Sequence, residues 1–158
     1  MQPEALIAIA KEAGAMMRRS HDAAVHRKEG HYNFVTDADV AVQAYLKSAL
    51  LTLCPGARFY AEEQENEPLT DAPTFVVDPI DGTINYMRLR HMSAVSIGYL
   101  EGRQPVMAVV YNPYANELFY ARKGRGAFLN GQPIRVSDLP YDMELVELGT
   151  SPNDAQLA

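Results

Sequence analysis

Thr74-Phe75-Val76-Val77, running directly into Asp78-Pro79-Ile80-Asp81-Gly82-Thr83, is the stretch on which the reading of this chain turns. Its first four residues are a compact run, β-branched and aromatic, which predicts a buried strand. That strand delivers Asp78 at its C-terminal end, and Asp81 follows three residues on. Two carboxylates held this close repel each other unless a cation lies between them. Hard cations such as Mg²⁺ take oxygen ligands, and a backbone carbonyl such as that of Ile80 can join them. Pro79 fixes φ inside the segment. Gly82 has no Cβ, so an anion can approach the backbone closely. Thr83 offers a hydroxyl where a short helix is expected to begin, and a helix N-terminus favours phosphate. An Asp-Gly pair alone is an ordinary turn. Six defined residues in a row are far more specific.

Upstream, Pro3 and Glu4 read as a helix start, and Leu6, Ile7, Ala10, Ala13, Met16 and Met17 recur at helical spacing as a core stripe. Residues 20–34 are polar and irregular and hold three of the four histidines. Thr36 and Asp39, three apart, predict the N-cap of a second helix, with Asp in place of the usual Glu. Val42, Leu46, Ala49, Leu50 and Leu53 form one face of that helix, which Pro55-Gly56 ends. A short strand, Arg58 to Ala61, runs into Glu62-Glu63, and residues 64–72 read as a polar loop. Downstream, Ser93 to Leu100 and Pro105 to Tyr111 are expected to pair around Glu101-Gly102. Leu118 to Ala121 follows as a strand, and Asn130-Gly131 is the strongest hairpin signal in the chain. The order predicts an α+β fold, two N-terminal helices packed on a mostly antiparallel sheet. Residues 1–143 are expected to form this domain. Leu145 to Gly149 resembles the first strand of another, so 144–158 read as the start of an incomplete C-terminal α/β domain.

Composition narrows the class. The chain has 158 residues, 47% hydrophobic and 22% charged, with a formal net charge of −6. That balance fits a folded globular domain and disfavours nucleic acid as a partner, since phosphate backbones demand a basic surface. Cys54 is the single cysteine, which excludes an internal disulfide and points to a reducing cytoplasm; it reads as a small core residue near a helix end. No stretch approaches the ~20 apolar residues that span a bilayer. His21, His26, His31 and His91 lack metal-ligand spacing. Arg88, Arg90 and His91 form a basic cluster best read as a solvated loop or subunit contact. Arg122, Lys123 and Arg125 decorate a hairpin turn.

Asp78-Pro79-Ile80-Asp81-Gly82-Thr83-Ile84-Asn85 resembles the signature of the inositol monophosphatase family. Val35-Thr36-Asp37-Ala38-Asp39 resembles the family's Thr-x-x-Asp segment, and Ala61-Glu62-Glu63 its Gly-Glu-Glu motif. Ala94 to Gly98 and Ala121 to Gly131 are similar to its strand and hairpin landmarks. The resemblance covers nearly the whole chain, in order. It implies the first half of a layered αβαβα sugar-phosphatase fold and hydrolysis of a phosphate monoester by Mg²⁺-activated water, with sensitivity to Li⁺ and a homodimer. It further implies Glu62, Asp78 and Asp81 as metal ligands with the Ile80 carbonyl. Asp81, Gly82 and Thr83 would hold the substrate phosphate. Asp39 and Thr83, with Glu62, would orient and activate the attacking water. Glu63 would support them from behind, and Lys28 would stand near the mouth of the site.

Three departures qualify the match. Family members run longer, and their C-terminal half supplies another aspartate in a Trp-Asp-x-Ala-like motif together with most sugar contacts; this chain has no tryptophan. Ala61 stands where the family often has Gly. Met87 to Met92 replaces a His-Gly-x-Pro-like stretch bordering the site and subunit contact. The chain is therefore expected to be a fragment that binds Mg²⁺ weakly and turns over poorly alone. Alternatives are a relative acting on fructose bisphosphate, a 3′-phosphoadenosine nucleotide or histidinol phosphate, and a non-catalytic binding protein that keeps the fold.

Overall fold

Pro3–Arg19 forms α1, opened by Pro3 and closed at Ser20, whose N–H reaches the carbonyls of Met16 and Met17. The computed structural model describes residues 1–20, 23–27, 34–89, 92–136 and 138. Of the expected α1 stripe, Leu6, Ala10, Ala13 and Met17 are fully buried, with Ile7 and Met16 packed beside them. Two short strands that periodicity did not reveal, Val25–Arg27 (β1) and Phe34–Thr36 (β2), pair antiparallel, the first inside the segment read as irregular and the second at its end. Three-residue strands are too short to carry an alternation signal.

Asp37–Leu53 forms α2, and the expected cap is realised in full. The Asp39 N–H donates to Thr36 Oγ1 at 3.3 Å, and the Thr36 N–H donates back to Asp39 Oδ2 at 2.7 Å. This reciprocal box satisfies donors that a helix start leaves open. Val42, Leu46 and Leu50 form the buried face of α2. Cys54 caps the helix, half-buried, with Sγ 3.9 Å from the Tyr99 hydroxyl.

The helices pack on one face of a seven-stranded sheet. Its strands, in both chain and spatial order, are Arg58–Ala61 (β3), Thr74–Asp81 (β4), Ala94–Glu101 (β5), Gln104–Asn112 (β6), Glu117–Arg122 (β7), Gly126–Leu129 (β8) and Gln132–Ile134 (β9). Among the described residues only β3 and β4 pair in parallel. Phe75, Val77, Val95, Ile97, Tyr99, Met107 and Val109 alternate along β4 to β6 and meet the helices. The architecture is the expected α+β arrangement. Asn130 and Gly131, with φ of 49° and 82°, make the β8–β9 turn, as a two-residue hairpin requires.

One boundary differs from expectation. β4 does not stop before Asp78 but continues to Asp81. Asp78 pairs with Ser96 and Asp81 with Ala94, so four residues of β4 face three of β5. This bulge absorbs Pro79, which has no N–H to give a ladder, and re-aims the side chains after it. Residues 144–158, expected to open a further domain, lie outside the described residues.

Candidate active site

Glu62 follows β3 directly, and its N–H donates to the Val77 carbonyl at 3.3 Å. In the parallel register Ala61 lies opposite Val77, so the next residues along, Glu62 and Asp78, stand at the same end of neighbouring strands. Their carboxyl groups interact, Glu62 being the leading charged influence on Asp78. Asp78 Oδ1 also accepts the Ile80 N–H at 3.1 Å. Burial and then the Glu62 carboxylate push the Asp78 carboxyl up to about 8, with a smaller contribution from Asp81. This is the electrostatics of clustered carboxylates lacking a compensating charge.

Asp81, exposed at the end of β4, acts on Asp78 through its charge. Among the described residues, no three His, Cys, Asp or Glu side chains gather closely enough to hold a metal ion. Asp78 is the common partner of the other two, since the charges of both Glu62 and Asp81 act on it. The donor set is all oxygen, negative and paired against its own repulsion, which suits a hard cation.

Gly82 turns the chain from β4 into Thr83–Arg88 (α3), with φ of 80° and ψ of 43°. Its glycine has a more immediate reason than anion approach. A Cβ there would stand 2.8 Å from the Met92 carbonyl oxygen, and the left-handed backbone disfavours any side chain. Asn85 Nδ2 donates to that same carbonyl at 3.2 Å, closing the loop. Tyr86 is buried, with its hydroxyl 3.2 Å from the Met17 carbonyl and 2.9 Å from that of Ser20, which ties α3 to the end of α1.

The Thr83 hydroxyl lies 3.0 Å from the Ile80 carbonyl and 3.5 Å from Asp39 Oδ1. Asp39 is 1% exposed. Its Oδ2 accepts both the backbone N–H and, at 2.5 Å, the hydroxyl of Thr36. Asp39 therefore does two jobs: it caps α2 and touches the Thr83 side of the site. Asp39 and Thr83, 44 positions apart, thus lie within hydrogen-bond distance, and Glu62 and Asp78 stand at one end of neighbouring strands.

Other candidates fall elsewhere. His26 bonds Asp37 at 2.7 Å on the surface. Arg88 ends α3, and Arg122, Lys123 and Arg125 lie at the β7–β8 turn. Lys28, His21, His31, Arg90 and His91 lie outside the described residues. Gln43 and Asn66, which no motif singled out, bond the backbone on either side of Glu62. An isolated amide in a helix or polar loop gives no signal of its own, since only the fold brings it to its partner.

The chain matches the profile of the inositol monophosphatase family over residues 3–156. It is 39% identical over 158 residues to inositol monophosphatase 2 of Solanum lycopersicum, a match covering 94% of this chain and 60% of that protein. The fold superposes on the Thermotoga maritima IMPase with a TM-score of 0.78 and 32% identity, over 84% of this chain and 52% of that one. It also superposes on an IMPase/NADP phosphatase solved with NADP and Ca²⁺, with a TM-score of 0.78 and 25% identity, over 83% of this chain and 51% of that one. The chain thus spans about three-fifths of the tomato relative and about half of these two solved chains. The shared motifs, the order of elements and the superposed sheet together establish that the chain belongs to the inositol monophosphatase family.

Proposed function

We propose that this chain carries the cation- and phosphate-binding half of a Mg²⁺-dependent phosphatase acting on a phosphate monoester of inositol or a related sugar. The observation that carries the reading is the meeting of Glu62 and Asp78 at adjacent parallel strand ends, with Asp81 beyond them and the Asp39–Thr83 pair alongside. Glu62, Asp78, Asp81 and the Ile80 carbonyl would hold the cation. A bound Mg²⁺ would lower the pKa of water and offset charge on a phosphoryl group. Asp39, buried and already an acceptor, orients the Thr83 hydroxyl so that Thr83 and Glu62 present polar atoms to an attacking water. Asp81, Gly82 and Thr83 are assigned to the substrate phosphate. The bulge in β4 supports that assignment, because it re-aims Asp81, the last residue of β4 to pair with β5, just before Gly82 turns the chain into α3.

Among the described residues no helix is long and apolar enough to cross a membrane. The proposed setting is the cytoplasm, with a homodimer as the working form. The relative solved with NADP keeps a second substrate class open, nucleotide phosphates.

The test is phosphate release from inositol monophosphate, NADP and fructose bisphosphate, with Mg²⁺ and with EDTA. Release that needs Mg²⁺ and disappears in Asp81→Asn is expected, at a low rate. Equal release in EDTA, or an unimpaired Asp81→Asn protein, would overturn the assignment. The alternative is a non-catalytic protein that keeps the fold. A melting temperature unmoved by millimolar Mg²⁺ would select that reading, since a ligand of the native state must raise it.

A further inference from the structure

Three consecutive residues around Glu62 have their backbones tied to three different parts of the fold. The Ala61 N–H donates to Asn66 Oδ1 at 3.0 Å, and Asn66 Nδ2 donates to the Ala61 carbonyl at 2.6 Å. The Glu62 N–H donates to Val77 in the sheet. The Glu63 N–H donates to Gln43 Oε1 at 3.1 Å, and Gln43 Nε2 donates to the Glu63 carbonyl at 3.3 Å. Two side-chain amides thus each grip one peptide position in both directions, as a neighbouring strand would.

One grip lies on a strand edge and the other just past the end of that strand. Among the described strands β3 is the edge of its sheet, and an edge strand offers N–H and C=O groups with no ladder partner. Asn66 covers those of Ala61. Residue 63 is past the end of the strand, and Gln43 anchors it to α2. Gln43 lies four residues after Asp39, on the same face of that helix. One face of α2 therefore serves both ends of the site, Thr83 through Asp39 and the Glu62 loop through Gln43.

We infer that Gln43 and Asn66 are positioning residues that hold the Glu62 carboxylate against Asp78, an inference that rests on the proposed cation-dependent function. Glu62 and Asp78 repel when both are ionised, and a loosely held loop would relieve that repulsion by swinging Glu62 into water. A backbone fixed on both sides of Glu62 removes that escape. The carboxylate pair then stays assembled for a cation instead of being gathered by it, and preorganisation of this kind is gained as affinity. A merely structural role, covering a strand edge and tethering a loop, would lower stability without touching cation affinity.

The experiment measures the Mg²⁺ concentration giving half-maximal thermal stabilisation in the full chain. It compares the parent protein with Gln43→Ala, Asn66→Ala, Gln43→Glu and Lys47→Ala. Gln43→Glu keeps the acceptor for the Glu63 N–H and loses the donor. Lys47 reaches Gln64 of the same loop at 3.4 Å without bonding residues 61 to 63, so its loss controls for general loosening. The expected result is a midpoint raised about tenfold or more in both alanine variants, the range seen for partners that orient metal ligands. Gln43→Glu should fall between, and Lys47→Ala should match the parent. Alanine variants with the parent's midpoint would overturn the inference and leave the phosphatase reading standing. A parent protein that does not respond to Mg²⁺ would overturn both. If an alanine variant does not fold, Gln43→Glu decides: an unshifted midpoint there overturns the role of Gln43.

Discussion

Replacing Asp78 with Asn should stabilise the cation-free protein while removing its response to Mg²⁺. The folded Asp78 carboxyl is pushed from its ordinary 3.8 up to about 8, first by burial and then by Glu62. A folded state with the higher pKa holds the proton more tightly than the unfolded chain. Its stability is therefore full below about pH 4, falls as pH rises, and levels off above about pH 8. At pH 7 the nominal cost of ionising this group is about 4 kcal/mol, from the distance between 3.8 and 7 at 1.36 kcal/mol per unit. Asp78 is only half-buried, and water screening halves that figure to about 2 kcal/mol. Asn has no such cost. Its Oδ1 can still accept the Ile80 N–H, and its neutral Nδ2 can donate toward Glu62. The assay is urea unfolding in EDTA at pH 5, 7 and 9, comparing parent with Asp78→Asn so that histidine titration cancels. The advantage of Asn should be small at pH 5 and grow to about 2 kcal/mol at pH 7 and above. An advantage that stays constant across the three pH values, or a parent more stable than the variant at pH 9 in EDTA, would refute the reasoning. Adding Mg²⁺ should reverse the order, since saturation at a hundred times Kd contributes about 2.7 kcal/mol to the parent alone.

Gly82→Ala should destabilise by about 2–4 kcal/mol in chemical unfolding, because a left-handed alanine and a methyl 2.8 Å from the Met92 carbonyl both cost energy. Phosphate release should fall with it, and a stable, active Gly82→Ala protein would show that the loop has another conformation. Gly14→Ala sets two effects against each other. Helix propensity favours alanine by about 1 kcal/mol, but its Cβ would stand 2.6 Å from two ring carbons of buried Tyr111, and overpacking costs about 1–3 kcal/mol. The clash should win, with a lower melting temperature, and Gly14→Ala combined with Tyr111→Leu should recover the loss. Ser93 is 2% exposed and its hydroxyl has no partner among the described residues. Ser93→Ala should leave stability unchanged or raise it by up to about 1 kcal/mol, and a loss would reveal a buried partner.

What the sequence made legible follows from how far each signal reaches. The capping box of α2 is decided by residues three apart, and Thr36 and Asp39 announced it. The Asn130-Gly131 turn is equally local. The core faces of α1 and α2 follow from spacing alone. The Asp78 to Thr83 string marked the site because its residue types are rare in combination. What stayed hidden depends on distant neighbours. Gly82 was assigned to anion approach, whereas its nearest constraint is Met92, ten residues away and visible only once the loop closes. The extension of β4 through Pro79 to Asp81 was missed because proline ordinarily ends a strand, and only pairing with β5 shows the bulge that admits it. Gln43 and Asn66 give no signal because their partners at residues 61 and 63 are backbone groups, donors and acceptors alike, which carry no residue identity.

The convergence of Glu62 and Asp78 depends on one topological choice. β3 and β4 run parallel with Arg58 opposite Thr74 and Ala61 opposite Val77. Both strands therefore end on the same side of the sheet. Had β3 paired antiparallel over the same residues, Ala61 would face Thr74 and Glu62 would lie opposite Pro73, about 17 Å from Asp78, five residues at ~3.3 Å each. No cation bridges carboxylates at that distance. Parallel neighbours need a crossover of about a dozen residues, and residues 62–73 between the two strands supply that length. This segment, polar and without regular structure of its own, is what lets two carboxylates sixteen positions apart share one site. Shortening it by several residues should therefore abolish the Glu62–Asp78 contact before it disturbs the helices or the antiparallel strands. A shortened chain would keep its circular dichroism and lose both the pH-dependent stability and the Mg²⁺ response.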